Sequence, residues 1–203
     1  MARVQTRSKP TKTAKKALFV CVEGYTEKDY FDALRKKLRI SPKLMHVKKC
    51  SGTSVANIAS ELKRARRNEL RDMPDLRYDE FWGVVDTEWK TDWKGYAVRP
   101  KRPERSDSRP IIWAVSSASF ERWILLHFEA NPPKRNGHDS ADYVGHYLSG
   151  YSSANKRLNE KQCELLLTNT AQALENAAAW REHHESEDNF TDVDLLVRSV
   201  MGV

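Results

Sequence analysis

Apolar positions along this chain follow two patterns. Ala17-Leu18-Phe19-Val20-Cys21-Val22 is an unbroken apolar run. Residues 78–85, with Phe81, Trp82, Val84 and Val85, and residues 111–115 repeat it. Consecutive apolar positions belong to strands covered on both faces, as in a parallel sheet. Residues 44–48 add a short fourth strand. Between the strands the apolar positions space out. Tyr30, Phe31, Leu34 and Leu38 predict a helix over 27–39, with Thr26 as N-cap, Asp29 three residues on, and a basic last turn that suits the helix dipole. Val55, Ile58, Ala59, Leu62 and Ala65 predict another over 54–70, which Pro74 stops. Ser116–Ser119 are expected to cap a helix over 120–129, ended by Asn131-Pro132-Pro133. Further helices are expected over 140–149, 159–182 and 191–201.

Strands alternating with helices predict an α/β fold: a small parallel sheet flanked by helices, with a helical C-terminal third. Right-handed crossovers then assign each helix to a face. The length suits one domain, placed at 17–203, with 130–203 as its helical part.

Charge changes this picture at one end. The formal net charge is +7, and residues 1–16 carry Arg3, Arg7, Lys9, Lys12, Lys15 and Lys16 with no acid. The body is therefore almost neutral. The basic tail is expected to be disordered, either solvated or drawn to phosphate without specificity. No apolar stretch is long enough to span a bilayer, and no apolar segment follows the basic residues as in a secretory signal. A soluble, cytoplasmic protein with no membrane association is expected. Cys21, Cys50 and Cys163 show no metal-ligand or disulfide spacing, and Cys21 reads as a core residue. Residues 89–110 form an irregular basic stretch with Trp89, Trp93 and Tyr96. Such a mixture suits single-stranded nucleic acid, and it equally suits a solvated loop.

The candidate chemistry is acidic. In open parallel sheets ligands bind beyond the carboxyl ends of the strands. Glu23 follows the first strand; Asp86 and Glu88 follow the third. If those strands are neighbours the carboxylates converge, and clustered oxygens suit a hard cation such as Mg²⁺. Asp86 and Glu88, two apart, share a face while the chain stays extended. Gly24 beside Glu23 is expected to permit positive φ and leave room for substrate. Glu23 itself is a candidate metal ligand or general acid/base. The competing reading is a set of ordinary polar residues at strand ends, and spacing alone leaves both open. Glu27 reads as a dipole-matched surface acid or a group behind the metal ligands. Glu121 stands at a helix start. His127 reads as a core histidine, with Trp123, Leu126 and Phe128 as core neighbours. Lys156 is a lone lysine in a polar stretch, solvated or facing a phosphate.

Three blocks resemble the RloB family: Val22-Glu23-Gly24-Tyr25-Thr26-Glu27-Lys28-Asp29-Tyr30-Phe31, then Tyr78-Asp79-Glu80-Phe81-Trp82-Gly83-Val84-Val85-Asp86, then Ser116-Ser117-Ala118-Ser119-Phe120-Glu121-Arg122-Trp123-Ile124-Leu125-Leu126-His127-Phe128. Asn176-Ala177 and Asn189-Phe190-Thr191 resemble weaker landmarks of the same family. The family is similar to Toprim-type proteins. That resemblance implies a Glu after the first strand and an Asp-x-Asp after a later one, binding Mg²⁺ (or Mn²⁺) for phosphodiester chemistry. Glu23 and Asp86 match those positions. Glu88 stands where the pattern has Asp, one methylene longer. The resemblance also adds Glu121 to Glu23 as a catalytic candidate, and implies a place in bacterial restriction and phage defence, often beside an AAA- or ABC-type ATPase. A Mg²⁺-dependent nuclease is the leading expectation. The alternative is a non-catalytic module that binds nucleic acid or an ATPase.

Overall fold

The computed structural model describes residues 16–52, 54–72, 77–87, 109, 111–183 and 189–203. The basic tail before Lys16, Glu88 and nearly all of the basic stretch after it lie outside the described residues. Four strands, β1 (Leu18–Val22), β2 (Met45–Lys49), β3 (Glu80–Asp86) and β4 (Ile111–Ser116), form one sheet in the order β2-β1-β3-β4. Every pairing is parallel. The two longest-range expectations, strand type and direction, are met: β1 and β3 are buried along nearly their whole length.

Alternation along β1 divides the core in two. Leu18, Val20 and Val22 face one side, against Tyr30, Phe31 and Leu34 of helix α1 (Tyr25–Lys37). Phe19 and Cys21 face the other, against Val55, Ile58 and Leu62 of helix α2 (Val55–Asp72). Chain order dictates this: β1 to β2 steps one way across the sheet, β2 to β3 steps back past β1, and right-handed crossovers put the two helices on opposite faces. Gly83, in the middle of β3, permits a close approach on the α2 face. A Cβ there would lie 2.5 Å from the Trp113 ring and 3.2 Å from Ile58. This glycine is fixed by space, not by backbone conformation.

The remaining helices are α3 (Glu121–Leu125), α4 (Gly137–Val144), α5 (Glu160–Thr168), α6 (Thr170–His183) and α7 (Val193–Met201). They extend the core on the α1 face with Trp123, Leu125, Leu148, Leu166, Ala173 and Leu196. The C-terminal third is helical, as expected, with shifted boundaries. The helix expected over 120–129 keeps regular α geometry only to Leu125, then tightens, with His127 N–H donating to the Ile124 carbonyl and Phe128 N–H to that of Leu125. Such three-residue steps are common at helix ends. The helix expected over 159–182 is two helices. Asn169 closes α5, and the Thr170 hydroxyl, at the start of α6, donates back to the Leu166 carbonyl. Asn and Thr compete with the main chain in this way and favour breaks. Asn159 and Gln162 form a reciprocal capping box that starts α5. No helix among the described residues is long and apolar enough to cross a membrane.

Candidate functional site

The site is built at the carboxyl ends of the two central strands. Val22 of β1 pairs with Val84 of β3. Glu23 follows immediately on one strand and Asp86 stands two residues further on the other, and adjacent strands lie only about 4.8 Å apart. The neighbourhood on which convergence depended is therefore present for Glu23 and Asp86. Asp86 shares its parity with Val84, whose side chain faces α1, so it belongs to the face that α1 and α3 cover. Asp86 pairs in turn with Ser116 of β4. The Ser116 hydroxyl is 2.8 Å from that of Thr191, and Ser117 N–H donates to the Phe190 carbonyl. The Asn189-Phe190-Thr191 segment thus closes the outer edge of β4 beside the acidic centre.

Helix α1 starts differently from expectation, and the difference organises the site. Its N-cap is Gly24, not Thr26. Gly24 has φ −117° and ψ −178°, an extended conformation open to any residue, so positive φ is not why glycine stands there. A Cβ would fall 2.6 Å from Glu27 Oε2. The glycine makes room for the Glu27 carboxylate, which turns back to accept from the main-chain N–H groups of Gly24 and Glu27. Glu27 is not a surface acid: it is 4% exposed. Burial raises its carboxyl to about 7, and the nearby charges of Glu121 and Glu23 push the same way, against those two N–H donors. Three acids thus share one electrostatic neighbourhood.

Glu121 is also buried, with Tyr151 donating to its Oε1 at 2.8 Å and Lys156 Nζ 3.2 Å from the same oxygen. The Thr26 hydroxyl, released from a capping role, donates to the Lys156 carbonyl at 2.8 Å and lies 3.0 Å from the Tyr151 hydroxyl. Burial raises the Tyr151 phenol well above its ordinary value, and the Glu121 charge raises it further, so the hydroxyl keeps its proton and donates. Residues 151–157 are in this way strapped across the first turn of α1. The strap delivers Lys156 to Glu121. The lysine is not simply solvated; it is bound at its base by Thr26 and at its tip by Glu121. Neither Thr26 nor Tyr151 carries a sequence signal for this role, since 125 residues separate them.

His127 behaves as expected of a core histidine. It is buried, its Nδ1 is 3.0 Å from the Trp123 carbonyl, and its Nε2 is 3.4 Å from the Tyr30 hydroxyl. Burial lowers its pKa to about 4, so the ring is neutral near pH 7. Asn176 is structural too: its amide donates to the carbonyls of Leu126 and Glu129, tying α6 to the end of α3.

For a divalent cation, Glu23 and Asp86 supply two carboxylates at one sheet edge. That is a donor set Mg²⁺ accepts when waters and substrate phosphate complete its shell. Glu88, the expected third ligand, lies outside the described residues. Among the described residues no group of three or more His, Cys, Asp or Glu is placed to hold a metal.

A family model described as RloB-like protein matches residues 18–200, and the chain belongs to that family. No curated protein and no solved structure matches.

Proposed function

We propose that this RloB-like chain is a Mg²⁺-dependent (or Mn²⁺-dependent) nuclease with a Toprim-like centre, hydrolysing phosphodiester bonds in anti-phage defence. The observation that carries this reading is the placement of Glu23 and Asp86 on adjacent central strands, at the end of a parallel sheet where α/β folds bind ligands. The defence role rests on the family resemblance alone, as does an ATPase partner.

Glu23 and Asp86, with Glu88, would hold the metal. When bound, it would stabilise charge developing on the phosphate and lower the pKa of a coordinated water. The chain's own residues do the rest. Glu23, just before the start of α1, orients the attacking water and accepts its proton. Lys156, held by Glu121, offsets charge on the phosphate oxygens. Glu121 works through that lysine as a positioning residue, since it is buried and held by Tyr151 and Lys156.

The test is a cleavage assay on plasmid, single-stranded DNA, RNA and tRNA in Mg²⁺ or Mn²⁺, with Glu23→Ala and Asp86→Ala alongside. Metal-dependent cleavage that both substitutions abolish is expected. A chain that binds these nucleic acids but cleaves none of them, with or without an ATPase partner, is a binding module and overturns the reading.

A further inference from the structure

Tyr25, the first residue of α1, is a large aromatic side chain half exposed to solvent, at 50%. It directly follows Glu23 and Gly24. Two cations lie over its ring: Lys49 Nζ at 4.9 Å from the centroid and Arg157 Cζ at 4.6 Å. Neither arrived by chance of a long side chain. Arg157 is clamped by Asp29, with Nε donating to Oδ2 at 2.7 Å and Nη2 to Oδ1 at 3.0 Å. Lys49 sits at the end of β2 and donates to the Cys50 carbonyl at 3.2 Å. The neighbouring Lys156 is fixed by Glu121 and Thr26. Two cations from two distant segments are therefore gathered over one exposed ring, with Lys156 next to Arg157 in the chain, at the rim of an acidic centre.

We infer that Tyr25, Lys49, Arg157 and Lys156 form a binding platform for single-stranded nucleic acid, seating the nucleotides beside the cleaved bond. The inference rests on the nuclease reading for its location, and it adds the substrate class. Phosphates carry the negative charge that pre-positioned Lys and Arg attract, in a sequence-independent way. An exposed ring among those cations accepts an unpaired base by stacking, which a base inside a duplex does not offer. Lys49, the less anchored of the two cations over the ring, moves from the ring to a phosphate as the base arrives. Arg157 stays on Asp29 and fixes the strand's direction. Acids at the centre repel a phosphate chain, so a cationic rim is what allows the strand to approach them at all.

Fluorescence anisotropy tests this with the full chain in EDTA, where cleavage is suppressed. The probes are labelled oligothymidine, oligouridine and a blunt DNA duplex. Tyr25→Ala is expected to weaken binding of the single strands about 10-fold and to leave the duplex within about 2-fold, while Tyr25→Trp keeps or improves single-strand binding. Lys49→Gln and Arg157→Gln should each reduce the slope of log K against log salt by about one. Comparing the two oligonucleotides separates a DNA from an RNA substrate. Unchanged single-strand affinity in Tyr25→Ala, or an equal loss on the duplex, overturns the platform. If the platform binds as stated while the wild-type chain never cleaves, the nuclease reading fails and the platform stands. If the chain cleaves and all variants bind normally, the platform fails and the nuclease stands.

Discussion

Strand β3 carries an acid at each end, and the two live in opposite surroundings. At its start, Glu80 is fully partnered. Lys16 donates to Oε1 at 2.6 Å, Trp82 Nε1 to Oε2 at 2.8 Å, and Ser199 to Oε2 at 2.7 Å. Burial pushes this carboxyl up, but the three donors together outweigh it and hold its pKa below the ordinary value. At the other end of the strand, Asp86 belongs to an edge that crowds acids together, where Glu27 is raised to about 7 by burial and by its acidic neighbours. One end surrounds a single carboxylate with three donors; the other brings Glu23, Glu27 and Glu121 into one electrostatic neighbourhood. Stability explains the first arrangement. It does not explain the second, which costs stability and which the proposed metal would offset.

The sharpest way to break this comparison is to exchange the two ends. Asp86→Ala is expected to lower the cleavage rate by about 10²–10⁴-fold with folding intact. Glu80→Ala should leave the rate nearly unchanged and cost about 1–3 kcal/mol, because it strands the Trp82 indole N–H without its acceptor. Thermal melts and single-turnover cleavage on both variants decide it. Equal effects on activity would mean that the two ends do not differ in function.

Next in size is a pair of opposed pH effects. Glu27 has a folded pKa of about 7 against an ordinary 4.5. Between those values the folded chain keeps a proton that the unfolded chain has lost, so stability falls as pH rises through the window. His127 has a folded pKa of about 4 against 6.5. There the unfolded chain gains the proton, so stability falls as pH drops from 6.5 toward 4. Each effect is on the order of 3 kcal/mol, and they oppose one another between pH 4.5 and 6.5. The wild-type chain should therefore have a nearly flat stability there. Glu27→Gln should rise with pH across that range and be more stable than wild type at pH 8, while His127→Gln should fall with pH. Denaturant titrations in EDTA at several pH values measure both. A Glu27→Gln profile identical to that of the wild-type chain would show that the acid is not strained by its surroundings.

How much of this was legible in the sequence follows from how far each signal reaches. Unbroken apolar runs gave the parallel sheet because a strand covered on both faces has no polar positions to spare. Glu23 and Asp86 were legible as candidates because strand ends in such a sheet are where ligands bind. Glu27 was read as a surface acid or a group behind the metal ligands, and its burial excludes the first; a charged residue near a helix start looks the same whether it faces water or folds back over a glycine. Only Gly24, whose role was misread as conformational, carries the trace of that. Thr26 looked like an N-cap because its type and place fit one, but tertiary contacts with Tyr151 and Lys156 took its hydroxyl. Tyr25 gave no signal at all, because its partners Lys49 and Arg157 meet it only in the folded chain.

The strap at the acidic end gives a smaller and more local test. Tyr151→Phe removes one hydroxyl and keeps the ring, so Glu121 loses its 2.8 Å donor and relies on Lys156 alone. A loss of about 1–2 kcal/mol is expected, as for a buried hydrogen bond to a charged group. Because Lys156 then loses part of its anchorage, cleavage should weaken through KM more than through kcat. A variant with full stability and unchanged KM would mean that Tyr151 does not hold the lysine through Glu121.

The smallest effect belongs to the outermost contact of the neutralised end. Lys16 is 59% exposed on its side chain, and its ion pair with Glu80 is open to water and salt. Such pairs contribute about 0.2–1 kcal/mol. Lys16→Gln should thus shift the melting temperature only slightly, and less at high salt, because Trp82 and Ser199 still satisfy Glu80. Near the other end of the same strand, the donors that relieve Glu27 of α1 are main-chain N–H groups. A large loss in Lys16→Gln would mean that Glu80 depends on a charge as much as the acidic end does, and the contrast between the two ends of β3 would be one of degree.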